Sequence, residues 1–176
     1  MTAPRTLRYV LPVAAACALA SAGVADAASG AALRPPSASS SRFGVGPAQA
    51  TDGVRATSWS AGRPGSWWLR AALRRAAPVR SIDILVTGRG GKLTIATSAD
   101  GWAFRPAATV IARAGVLRSV DLDGRRVAAV RISAAGAKAA AVRVAELRVH
   151  LTAAAAAREP AGPARRGDVT PPPSGD

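Results

Sequence analysis

One cysteine, one histidine and two lysines are all that this chain of 176 residues contains of those types. Each scarcity removes a class of chemistry. Cys17 lies inside an N-terminal leader, so the chain after it has no thiol and no disulfide to staple its ends. A single imidazole, His150, leaves no Ser/His/Asp arrangement, and nucleophilic catalysis lacks its parts. Acidic residues number 10 against 24 basic ones. The closest acid pair, Asp121 and Asp123, flanks one residue beside a turn and reads as turn chemistry. Gly88-Arg89-Gly90-Gly91 is rich in glycine, but it lacks the following helix and the Lys-Ser/Thr ending of a phosphate loop. Aromatics make up 4% of the chain, so its four tryptophans must carry much of any core.

Long hydrophobic runs are also missing. Val10 to Val24 is apolar but short and alanine-rich, which argues against a membrane span. With Arg5 and Arg8 before it and Ala25-Asp26-Ala27 after it, residues 1–27 read as a secretory signal peptide cleaved after Ala27. A lipoprotein anchor at Cys17 is disfavoured, because leucine is missing three positions upstream. Residues 28–36 read as a flexible lead-in. Ala153 to Ala157 suggests a short helical turn, and 158–176 a disordered tail rich in Pro, Arg and Gly. One domain remains, over 37–152. The formal net charge is +14, and 22 of the 24 basic residues are arginine. Codon usage in a GC-rich genome explains such a skew blandly; attraction to an anionic surface or polymer explains it functionally.

Within the domain the apolar pattern has a period of two. Ser66 to Leu73 reads as a strand. Ile82, Ile84 and Val86 share one face of the next, and Leu93, Ile95 and Thr97 continue the alternation beyond a glycine-rich hairpin connection, Thr87 to Lys92. Asp52-Gly53, Asp100-Gly101 and Asp123-Gly124 are turn dipeptides. In the last segment Val142 and Val144 are apolar at even positions, whereas Leu147, Val149 and Leu151 are apolar at odd ones. That slip requires a bulge near Ala145-Glu146, which would re-aim Glu146. No stretch gives a convincing amphipathic helix. The class is all-β, a sandwich or a barrel.

The stretch Ser37-Ala38-Ser39-Ser40-Ser41, followed by Ala50-Thr51-Asp52-Gly53 and then Thr57 and Trp59, resembles the opening of discoidin domains, the coagulation factor V/VIII type C family. Trp68-Leu69, Ser98-Ala99-Asp100-Gly101, Val130-Arg131-Ile132 and Glu146-Leu147-Arg148-Val149 extend the resemblance in order over roughly 35–152. Ala72 and Arg74 depart from it where the family has Asp and Gly. The resemblance implies a jelly-roll β-sandwich of about eight strands, with Trp59 and Trp68 in its core.

It also implies a structural calcium. Calcium takes carboxylate, hydroxyl and carbonyl oxygens. Asp52, Thr57 and Glu146 are the candidate ligands, with carbonyls near Gln49 and Arg55. Trp67 should face away from Trp68, and Trp102 follows a turn. With Arg63 and Arg89 these are the candidate ligand contacts. The expected function is a secreted, non-enzymatic carbohydrate-binding module for cell-wall or environmental glycans. The rival readings are a basic adhesin for anionic wall polymers or phospholipid surfaces, and a degenerate structural domain without ligand. No helix is available to read DNA, so specific nucleic-acid recognition is not expected.

Overall fold

The computed structural model describes residues 31–136 and 139–158. The leader, Cys17 and the chain beyond 158 lie outside the described residues. Alternating polar and apolar side chains give antiparallel strands: β1 (Ser37–Ala38), β2 (Trp59–Ser60), β3 (Trp67–Gly88), β4 (Gly91–Ser98), β5 (Arg105–Ala112), β6 (Leu117–Ala134) and β7 (Val142–Leu151). A short helix, α1 (Ala153–Ala156), follows. The strand order is β2-β7-β3-β6-β4-β5, with β1 on β3.

Two long strands turn this single sheet into a sandwich. β3 pairs with β7 only over 79–88, and β6 pairs with β4 only over 129–133. The first halves of the long strands therefore belong to different layers from their second halves. Register breaks between Ala72 and Ala77 and between Val79 and Ser81 mark the corner. Strands that switch layers do so through such irregularities. On β6 the corner falls at Asp123 and Gly124, with φ of 52° and 72°. Asp121 holds it by accepting the Asp123 amide at 2.8 Å. The dipeptide expected to end a strand bends one instead, so the described residues form seven strands where about eight were expected.

Two other expectations change. Residues 31–34 are not a loose lead-in: the Ala31 and Arg34 amides donate to Val149 and Ala72, and Leu33 bridges Leu73. The Thr87 to Lys92 segment is not a hairpin, because β3 and β4 are not neighbours. It carries the chain across from β7's layer to β6's other half. The slip in β7 is a bulge, as its pattern requires: Leu85 pairs with Glu146 but Val86 with Val144.

The core lies between the layers. Trp59 and Trp67 meet edge to face, ring centroids 5.2 Å apart, and the Trp67 indole donates to the Ala139 carbonyl at 2.7 Å. Leu69, Ile82, Ile84, Leu93, Ile95, Ile132 and Leu147 surround them, all buried.

Candidate functional site

The first half of β3 alternates strictly. Trp67, Leu69, Ala71 and Leu73 are buried, while Trp68, Arg70 and Ala72 point outward and are half-buried. The expected roles of the two adjacent tryptophans are therefore exchanged. Trp67 is 2% exposed and packs in the core, although it also borders the open groove beside Trp68. Trp68 stands on the outer face.

Trp68 pairs with Ser133 on β6, and Ser133 with Thr94 on β4. These three outward side chains form the floor of an open groove of about 530 Å³, with Lys92, Arg131 and Ser66 around it. The connection from β4 to β5 packs beside Arg131 and Arg70. There Phe104 stacks on Arg131, with the guanidinium carbon 4.4 Å from the ring centroid. Arg70 lies 5.8 Å from the Trp102 ring and 5.9 Å from Phe104 and donates to the Gly101 carbonyl at 2.9 Å.

Asp100 shapes that connection. It accepts from the Ser98 hydroxyl at 2.6 Å and from the amides of Trp102 and Ala103 at 2.8 and 2.9 Å. These bonds, the Ser98 one foremost, hold its carboxyl at about 2 instead of 3.8. Trp102 itself is 82% exposed. Of the other candidate ligand contacts, Arg63 is exposed in the turn before β3, and Arg89 is exposed between β3 and β4. Neither lines the groove. The sequence points to Trp68 only as a core residue and marks none of Lys92, Thr94, Arg131 and Ser133 as a ligand contact. Their signal was the outward phase shared by Trp68 and Arg70.

The calcium candidates lie on the loop before β2 and on β7. Thr57 Oγ1 is 2.7 Å from Asp52 Oδ2, 2.7 Å from the Val54 carbonyl and 3.3 Å from that of Gln49. A hydroxyl has one proton, so its lone pairs face the acceptors it does not donate to. Such an oxygen-rich cluster is the donor chemistry a hard cation takes. Glu146 is 2% exposed, and its Oε2 is 3.3 Å from Arg148 Nη2. Among the described residues no three His, Cys, Asp or Glu side chains gather as a metal group. Any cation here would rest on one or two carboxylates and neutral oxygens. His150 has a tie too, 2.8 Å from Asp83 across β7 and β3.

No family model matches the sequence, and no curated protein matches it. Solved structures do resemble it. The module CpGH89CBM32-5 from Clostridium perfringens, in complex with GalNAc-β-1,3-galactose, is 20% identical, with a TM-score of 0.59 over 68% of this chain and 99% of that one. A pectin-binding carbohydrate-binding module is 20% identical, with a TM-score of 0.61 over 70% and 94%. The family 32 carbohydrate-binding module from C. perfringens NanJ, in complex with galactose, is 22% identical, with a TM-score of 0.58 over 67% and 97%. The architecture is therefore that of a discoidin-type jelly roll, the fold of the family 32 carbohydrate-binding modules.

Proposed function

We propose that this chain is a non-catalytic carbohydrate-binding module that works outside the cell, exported by its leader. The observation that carries the reading is Trp68, held on an open groove beside Ser133 and Thr94. A flat indole offers the apolar face of a sugar ring a surface to lie on, and the hydroxyls beside it answer the ring's own. The structural neighbours support the ligand class, since two were solved with galactose-containing sugars and one is described as pectin binding.

The test is a glycan array probed with the full chain at low and high salt. Binding to defined sugars that survives high salt and is lost in Trp68→Ala is the expected result. A second reading, the basic adhesin, draws on the net charge of +14; it predicts binding to every polyanion that vanishes as salt rises. No binding in any condition overturns both in favour of a domain without ligand.

The reading includes a structural calcium at Asp52, Thr57 and Glu146, with the carbonyls of Gln49 and Val54, supported by the oxygen cluster around Thr57. Calcium should raise the melting temperature of the full chain and a chelator should reverse the rise, by mass action on the folded state. Asp52→Ala should abolish the calcium response. A melting temperature indifferent to calcium in the unaltered chain removes the ion from the reading.

A further inference from the structure

Arg70 on β3 and Arg131 on β6 are direct cross-strand partners, and both reach the same Phe104 ring. Like charges directly opposite on neighbouring strands destabilise a sheet. The usual remedy is a carboxylate between them. Among the described residues the ion pairs are Arg148 with Glu146 and His150 with Asp83, so no carboxylate stands within ion-pair range of Arg70, Arg131 or Lys92. The acid carried by the overlying connection, Asp100, is turned away into its own backbone amides and Ser98. Aromatic faces and one carbonyl hold the two guanidinium groups instead, and Arg70 Nε is buried with no hydrogen-bond partner. The fold thus maintains positive charge at this spot without neutralising it.

The same face supplies a partner for what would neutralise it. Trp68 and Ser133 are two residues along from Arg70 and Arg131, and Thr94 and Lys92 continue across the groove. A guanidinium presents a planar fork that matches a carboxylate, and an ammonium adds a point charge. We propose that this sheet face binds an acidic oligosaccharide, with a sugar ring against Trp68 and carboxylates on either side of it against Arg131 and Lys92, which flank the Ser133–Thr94 pair. The inference rests on the sugar-binding reading and adds the ligand's charge, its chemical class and the residues that select it.

The test uses the full chain and three probes, followed by calorimetry and by tryptophan fluorescence: an oligogalacturonate, the same oligosaccharide fully methyl-esterified, and a sulfated galactan oligosaccharide. The acid form should bind and the ester should bind at least about tenfold more weakly, the scale of one lost charge-assisted contact. Arg131→Gln and Lys92→Gln should each weaken the acid form by about tenfold and leave the ester unchanged. Trp68→Ala should weaken both. Arg125→Gln, which removes the same charge from an exposed position on the far half of β6, should change nothing. Arg131 also stacks on Phe104, so melting temperatures are read alongside; exposed Lys92 carries the test if Arg131→Gln unfolds.

Equal binding of acid and ester overturns the acidic class and leaves the sugar-binding reading standing. Tighter binding of the sulfated probe overturns the carboxylate. Equal losses in Arg125→Gln and Lys92→Gln overturn the site in favour of diffuse charge. Failure of all three probes together with neutral glycans overturns both readings.

Discussion

Trp67 and Trp68 are neighbours in the chain and opposites in the molecule. One lies edge to face with Trp59 in the core, its indole hydrogen-bonded inside. The other lies on the outer face with cations and hydroxyls beside it. The same residue type packs in the core on one side of β3 and stands on the proposed sugar-binding face on the other, and only the strand's alternation decides which. The largest expected effect breaks this comparison on its inner side. Trp67→Ala leaves a large cavity and an unpartnered Ala139 carbonyl and should destabilise by about 3–5 kcal/mol. Trp68→Ala should shift stability by about 1 kcal/mol or less while removing glycan binding. Chemical denaturation of both variants, read beside binding, checks the pair. A Trp68→Ala variant as unstable as Trp67→Ala would make both residues core.

Gly90 tests how far the outer face depends on the inner one. A Cβ placed there would come within 2.5 Å of the Ala112 carbonyl oxygen and 3.2 Å of Arg113 Cα. Both neighbours are backbone and cannot swing aside. Gly90→Ala should therefore push apart the start of β4 and the end of β5, destabilising by about 1–3 kcal/mol, as overpacking does. Lys92 and Thr94 ride on β4, so this variant should lose stability and binding together, unlike either tryptophan variant. Unchanged binding in a destabilised Gly90→Ala would show that the groove tolerates movement of its β4 side.

Much of this was legible in the chain, and the failures have physical causes. Turn dipeptides and period-two runs point to the all-β class, and the change of parity across Ala145-Glu146 is enough by itself to require the bulge. Asp123-Gly124 misled, because positive φ serves a layer-switching corner as well as a hairpin. The glycines at 88–91 misled likewise, since a composition that permits a tight turn does not say which strands it joins. The two tryptophans exchange roles because local parity, and not the family motif, sets which one faces inward. Leu69, Ala71 and Leu73 are in phase with Trp67, and Arg70 is in phase with Trp68. An arginine sharing a face with one of two tryptophans marks that face as the wet one. The rest of the groove was out of reach of local reasoning. Ser133 and Thr94 become neighbours of Trp68 only through register between strands far apart in sequence, and nothing short-range encodes which ladder forms.

The smallest expected effect concerns the connection from β4 to β5, whose Phe104 packs on Arg131. Asp100 is ionised with its carboxyl near 2 because a hydroxyl and two amides donate to the charged form. A group held below its unfolded value contributes stability that is present in full above that value. The contribution is lost as pH falls through the folded one. For Asp100 the window runs from about 4 down to about 2. Asp100→Asn keeps one acceptor but removes the charge, so it should lower the melting temperature slightly at neutral pH. The gap from the unaltered chain should close as pH falls through that window. Because the connection positions Phe104 and Trp102 over Arg131 and Arg70, the same variant should weaken acidic-sugar binding more than it lowers the melting temperature. Trp68→Ala should show no such pH-dependent gap, since its side chain meets no titrating carboxylate. A constant gap across the window in Asp100→Asn would assign the effect to shape alone, and would separate the overlying connection from the electrostatics of the face it covers.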